Sequence, residues 1–189
     1  MRSLIVSCNL TVDGFMSGAG DTLASLEFIT PDRQQENELA ARFRSTADTW
    51  VAGRQTFLDM HAFWSTAEGD MAKWLNETPK VVLSTDPGFD VSIWEGTTLL
   101  AGDGVENVRQ LKESSGQALV AFGGVKTLRS LVAAELVDEY WLKVSPTVVG
   151  RGGSMFADLA ERRPLTLRDA KPYPSGLVEL SYSAPSATA

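Results

Sequence analysis

Cysteine and histidine are almost absent from this chain of 189 residues: Cys8 and His61 are the only examples of each. A lone thiol cannot build a disulfide framework or a cysteine-based zinc site. A lone imidazole excludes the His-rich metal sites and most His-based triads, so no metal site is expected. No apolar run approaches the ~18 residues that a membrane span needs. The opening "MRSLIVSCNLTVDGF" has one Arg and a five-residue apolar core, too short for a secretory signal. A reducing cytoplasm is the expectation from these absences. Positive charge is also short, with 17 basic against 24 acidic residues and a net charge of −7. That balance argues against a nucleic acid or anionic membrane partner. Any phosphate must be met by a few placed basic residues and backbone N–H groups.

What the chain does have is apolar residues, 43% of the total, enough for the core of one domain. That domain is expected over residues 1–184, with 185–189 as a frayed tail. Short apolar runs alternate with helical periodicity. Leu4 to Leu10 reads as a first strand, closed by the Gly- and Asp-rich "TVDGFMSGAGD". Asp32 to about Arg44 reads as a helix with Leu39, Ala40 and Phe43 inward. Trp50 to Ala52 is a short buried strand, and "GRQTF" opens the next helix. A short helix over Gly69 to Glu77, a strand over Lys80 to Leu83 and a weaker one over Thr97 to Leu100 follow. A helix over Gly104 to Ser114 precedes the strand Ala118 to Phe122, and Leu128, Leu131, Val132 and Leu136 then mark a helix. Pro164 to Lys171 and Leu177 to Ser183 read as a closing antiparallel pair. Strands alternating with helices argue for an α/β sheet covered on both faces, and the hairpin makes that sheet mixed.

Ligands of such sheets bind outside the carboxyl ends of the strands. Three of those ends are chemically suggestive. In "GRQT", Arg54 and Thr56 flank a helix N-terminus, where the dipole and free N–H groups favour an anion; the plainer alternative is a capping Thr beside a solvated Arg. "LSTDPG" offers Ser84 and Thr85, or a simple turn. "FGGVK" places Gly123 and Gly124 between strand and helix, as a tight turn or as backbone bared to a phosphate. Neither fingerprint motif is met. Val120 and Val125 occupy the glycine positions of a P-loop ending at Lys126-Thr127, and Met155 replaces the third glycine of "VVGRGG". Elsewhere Phe57, Phe63 and Trp64 could wall a flat heterocycle or pack the core. His61 reads as a surface or capping residue, Asp13 as a turn residue, and Cys8 as an inert core thiol.

Together, "LTVDGFMSG", "VAGRQTF", "PKVVLSTDPG" and "VAFGGVKTLRSLVAAELVDEYWLKVSPTVVGRGGSMF" resemble the dihydrofolate reductase superfamily. The nearer resemblance is to the C-terminal reductase domain of bifunctional riboflavin-biosynthesis deaminase-reductases and its stand-alone relatives. It implies a three-layer dihydrofolate-reductase-like fold, with a mostly parallel central sheet, helices on both faces and a C-terminal antiparallel hairpin. It also implies NADPH and hydride transfer to a small N-heterocycle. By matching position, Gly53, Arg54, Gln55 and Thr56 would hold the cofactor's phosphates, and Ser84 and Thr85 would lie along its adenosine end. Gly123, Gly124, Val125, Lys126 and Thr127 would pass beneath the pyrophosphate and nicotinamide ribose. Asn9, Phe15 and Met16 would border the nicotinamide. In folate reductases a carboxyl on the helix before "GR-T" bonds the substrate; within "QENELAARF", Glu38 is the candidate and Asn37 its competitor. A cis peptide between Gly123 and Gly124 is a further expectation. The riboflavin reductases carry an acid before the double glycine where this chain has Phe122, and no deaminase half is present. A pterin-type reductase and a non-catalytic nucleotide-binding protein are the alternatives. A homodimer is expected from the strand in "VDEYWLKVSPTVV", whose Trp141 face would be left seeking a partner.

Overall fold

The structure, a computed structural model, describes residues 1–18, 26–157 and 159–185. The last four residues of the expected tail fall outside them. The described chain folds into eight strands and five helices, in the order β1 (Leu4–Thr11), α1 (Arg33–Thr46), β2 (Ala47–Gly53), α2 (Arg54–Trp64), α3 (Asp70–Glu77), β3 (Lys80–Ser84), β4 (Thr97–Ala101), α4 (Gly104–Glu113), β5 (Ala118–Ala121), α5 (Val125–Ala133), β6 (Glu139–Ser145), β7 (Thr166–Pro172) and β8 (Val178–Ser183). All strands join one sheet, ordered β4-β3-β2-β5-β1-β6-β8-β7. The first six in chain order run parallel, and β8 pairs antiparallel with both β6 and β7. Six parallel strands therefore deliver their carboxyl ends to one edge.

Strand alternation sorts the core into two layers. Leu4, Val6, Cys8 and Leu10 of β1 pack with Val108 of α4 and Leu128, Leu131 and Val132 of α5. On the other face, Ile5 joins Leu39, Ala40 and Phe43 of α1, Phe57 of α2, and Met71, Trp74 and Leu75 of α3. Phe43 is the hub of that layer: its ring lies 4.7 Å from Trp74, 5.7 Å from Trp141 and 5.9 Å from Phe122. The inward face of α1 matches the periodicity of its sequence, and Asp32 caps it by accepting from the Gln35 N–H.

Trp141 corrects the sequence reading. It is only 5% exposed, stacked on Phe43 beneath α1, and the Arg42 guanidinium lies 3.8 Å from its ring centroid. Tyr140 and Leu142 of β6 pack into the α4–α5 layer and Trp141 into the α1 layer, so both faces of the strand are covered within the chain. The strand supplies no reason for a second copy.

Buried lysines and arginines fasten the opposite edge. Lys80, 1% exposed, donates to the carbonyls of Asn76, Thr78 and Glu95, and Arg2 bridges the Gln117 carbonyl, Asp48 and Thr49. With Phe43 joining α1 to three aromatic neighbours, Phe43→Ala should lower unfolding free energy by about 3–5 kcal/mol in a urea titration. A loss of ~1 kcal/mol would mean that α1 is held by something else.

Candidate functional site

The carboxyl ends of β3, β2, β5, β1 and β6 are successive neighbours, so the three suggestive sequence segments do meet. β2 and β5 lie side by side and open directly into α2 and α5. A Cβ built on Gly123 would strike the Thr56 methyl, one on Gly124 would lie 2.5 Å from Thr56 Oγ1, and one on Gly53 would strike Thr127 Oγ1. The missing side chains are thus what lets the two helix starts come together. Gly123 and Gly124 have φ of +77° and +53°, and no peptide bond among the described residues is cis. The expected cis bond is replaced by two successive left-handed residues, which turn the chain without isomerising it.

The helix starts at this edge differ in charge. Asp103 caps α4 and accepts from the Val105 and Glu106 N–H groups, so that start is filled by a carboxylate. α2 and α5 are capped by Gly53 and Gly124, with no side-chain acceptor and no acidic residue in either first turn. Their leading N–H groups remain for a ligand or water, and the aligned dipoles favour an anion. Arg54 is exposed beside them, 5.8 Å from the Phe89 ring, and forms no ion pair among the described residues. Gln55 is turned along α2 and donates to Asp59. Lys126 is exposed, Val125 packs on the core, and half-buried Thr127 faces Gly53. Ser84 accepts from the Asp86 N–H and Thr85 is exposed, one strand farther along the edge. Two uncapped helix starts, a free guanidinium and an adjacent hydroxyl-bearing turn fit a phosphate-bearing dinucleotide.

Beyond β5 the edge changes character. Ser7, Asn9, Trp141, Lys143, Ser145, Glu179 and Ser181 alternate onto the face covered by α1. Glu179 Oε2 accepts from Gln35 Nε2 at 2.8 Å, and Oε1 forms an ion pair with Arg42. The Arg42 Nε is buried with no hydrogen-bond acceptor among the described residues. Lys143 donates to Ser7 Oγ at 3.3 Å, its single hydrogen bond among the described residues, and burial pushes its ammonium pKa down. Sequence reading missed Lys143 and Glu179 as a pair. Their cross-strand register in β6 and β8 is the signal that could have found them.

The remaining candidates divide. Asn9 sits at the junction of the two halves, half-buried and in register with Lys143. Phe15 is half-buried in the loop after β1, whereas the Met16 side chain is 6% exposed and packs into the α4–α5 layer. Glu38 does not face the parallel strand ends. It pairs with Lys171 and accepts from Tyr173 and Gln34, on the flank of the hairpin, and Asn37 is exposed. Lys171, Gln34 and Tyr173 together hold the Glu38 carboxyl at about 2, far below its usual value, so it stays ionised and has no proton to give. Phe57 is core, while Phe63 is exposed at the far end of α2. His61 is half-buried against the edge of Trp94. Asp13 accepts from the Val149 and Gly150 N–H groups and so pins the loop after β1 to the loop after β6. Burial pushes the Cys8 thiol up to about 12, leaving it unreactive.

The RibD C-terminal domain family model matches residues 2–178. The chain belongs to that family. A member-like relative, the uncharacterized protein YyaP of Bacillus subtilis, is 25% identical over 96% of this chain and 94% of its own. Among solved structures, a Shewanella sp. PV-4 protein named for riboflavin biosynthesis is 20% identical, covers 97% of this chain and 99% of its own, and superposes with a TM-score of 0.75. A dihydrofolate reductase from Enterococcus faecalis complexed with NADP(H) covers 96% of each chain at 16% identity and a TM-score of 0.64. The deaminase-reductase of Thermotoga maritima matches at 12% identity and a TM-score of 0.69, this chain spanning 57% of it. The fold is therefore that of the dihydrofolate-reductase-like RibD C-terminal domains, as the sequence motifs imply.

Two outcomes follow from the packing. Gly123→Ala should cost about 2 kcal/mol in unfolding, and Thr56→Ser, which removes the obstructing methyl, should restore about 1 kcal/mol of it in a double-mutant cycle. Additive losses would show that the two do not touch. For Glu38, a depressed folded-state pKa contributes stability that is present above its unfolded value near 4.5 and lost as pH falls toward about 2. Glu38→Gln should flatten the acid limb of the stability curve in that window, while turnover at neutral pH stays within about twofold. A large loss of turnover with an unchanged acid limb would restore Glu38 as the substrate acid.

Proposed function

We propose that this RibD C-terminal domain is a cytoplasmic NADPH-dependent reductase that transfers a hydride to a small N-heterocycle. The named chemistry it resembles is that of 5-amino-6-(5-phosphoribosylamino)uracil reductases, the activity carried by the name of the Thermotoga maritima neighbour. The observation that carries the reading is the pair of acid-free, glycine-capped helix starts of α2 and α5, joined through Thr56 and flanked by Arg54, which forms no ion pair among the described residues. In a chain with a net charge of −7, this is where the fold gathers unspent N–H donors and a free guanidinium. Arg54 and the α2 start would hold the phosphates, with Ser84 and Thr85 toward the adenosine end. Gly123 to Thr127 would lie under the pyrophosphate. Asn9 would sit where the nicotinamide meets the α1-covered face. NADPH would supply the hydride, so the protein's own task is orientation and exclusion of water.

Titration of tryptophan fluorescence tests the reading. NADPH should bind at least about tenfold more tightly than NADH, because Arg54 can make a bidentate, charge-assisted bond to the additional phosphate. Arg54→Ala should weaken NADPH by about 1.5–3 kcal/mol and NADH by less. Equal millimolar affinities for both cofactors, or a change below ~0.5 kcal/mol on truncating Arg54, would overturn it.

A further inference from the structure

The α1-covered half of the strand edge holds a buried charge that its surroundings do not complete. Lys143 is 8% exposed, yet among the described residues its three N–H donors meet one acceptor, Ser7 Oγ at 3.3 Å. The adjacent carboxylate across the strand pair, Glu179, is already engaged: one oxygen takes the Gln35 amide and the other the Arg42 guanidinium. Arg42 itself retains an Nε with no acceptor among the described residues. A buried ammonium with so little compensation costs several kcal/mol unless a ligand atom completes it. The face therefore lacks acceptors and has donors to spare. Lys143 is also in register with Asn9, one strand from the Gly123–Gly124 turn.

We infer that Lys143 is a specificity-determining residue that binds the substrate ring by donating to an acceptor edge, a ring carbonyl of a cyclic imide or lactam. The assignment rests on the proposed reductase reading only for the place of the nicotinamide beside it. Its chemistry is the reverse of a carboxylate site. A carboxylate accepts from an amidine-like edge and favours amino-substituted rings, whereas an ammonium favours carbonyl oxygens and repels a ring that protonates to a cation. Glu179 and Gln35 are positioning residues in this arrangement. By engaging Arg42 and each other they hold the carboxylate away from direct hydrogen bonding with Lys143, although its charge still acts on the ammonium.

The test uses two pteridines of the same size and opposite edges, titrated calorimetrically into the full-length protein with and without NADP+. Lumazine, the pteridine-2,4-dione, should bind at least about tenfold more tightly than 2,4-diaminopteridine. Lys143→Met should remove at least about tenfold of the lumazine affinity and narrow or invert the preference, with NADPH affinity within about twofold of the parent. Because Met fills the same volume without a buried charge, the variant should also melt no lower than the parent, which a lysine of purely structural value would not allow. Lys143→Gln, a neutral donor, keeps the question answerable if the Met variant fails to fold, and should retain part of the dione preference. Equal or tighter binding of the diamine, lumazine affinity within twofold of the parent in the folded variants, or no binding of lumazine at 1 mM would each overturn the assignment. Failure of NADPH to bind, with Lys143-dependent lumazine binding intact, would instead refute the cofactor reading and leave Lys143 in place.

Discussion

The contact of Thr56 with the Gly123–Gly124 turn is the constraint from which the rest of the site follows. Parallel strands bring the starts of α2 and α5 to one edge, but adjacent helices keep their own distance unless something lets the backbones close. Here it is the absence of Cβ atoms. With Gly123 and Gly124 opposite Thr56, and Gly53 opposite Thr127, each helix start uses the other's glycine as its packing surface. The same glycines cannot supply capping side chains, so dense packing and unspent N–H donors arise from one choice of residue. An Asp cap of the kind seen at α4 would have stabilised either helix locally and neutralised the anion site.

The opposite half of the edge works by a different economy of charge. An apolar face beneath α1 would be the more stable solution, since burying ions is costly even when they are paired. Phe43, Trp74 and Trp141 show that the chain builds such a face where no ligand is needed. Immediately beyond Trp141 along β6 the pattern turns polar on the same face, with Lys143 and Ser145, and β8 answers with Glu179 and Ser181. The boundary between aromatic and polar lies near Asn9 and Phe122, beside the glycine-capped helix starts. Stability has been exchanged for recognition over a few residues of adjoining strands.

Nearly all of the fold was legible because it depends on period and punctuation. Runs such as Lys80–Ser84 and Ala118–Ala121 are buried on both faces and read as continuous apolar segments, and α1 displays its inward Leu39, Ala40 and Phe43 at helical spacing. The meeting of the candidate phosphate-binding segments was legible for a similar reason: the residues of each are consecutive, and each segment ends a strand. The polar half was not, because its members are far apart in sequence and meet only through strand register. Lys143 lies 36 residues from Glu179 and 136 from Ser7. Charge in a strand reads as solvated until the covering helix is placed. Trp141 illustrates the same blind spot from the apolar side: alternation reveals that a strand has two apolar faces, but not which element covers the second. The Gly123–Gly124 bond shows another limit. Two glycines announce an unusual turn, but not the backbone angles it takes, here two successive left-handed residues packed against Thr56.

The two halves impose a polarity on whatever spans them. At the β2–β5 end, helix dipoles and Arg54 place positive potential around a ligand's anionic part. At the β6–β8 end, Lys143 and Arg42 outnumber Glu179, so the surplus is again positive, but it is buried and aimed at neutral acceptors rather than at a solvated phosphate. A protein with seven excess negative charges thus still places Arg54, Arg42 and Lys143 along one sheet edge. Its acidic remainder opposes adventitious anions elsewhere on the surface, and the edge admits them only where backbone donors or buried cations replace their hydration. On the proposed reading, the order of the strands would set the order of the ligands: phosphate over β2 and β5, nicotinamide at β1, and the ring to be reduced against β6. Hydride transfer needs its donor and acceptor carbons in near contact, and the adjacency of β1 and β6 would place two such ligands side by side.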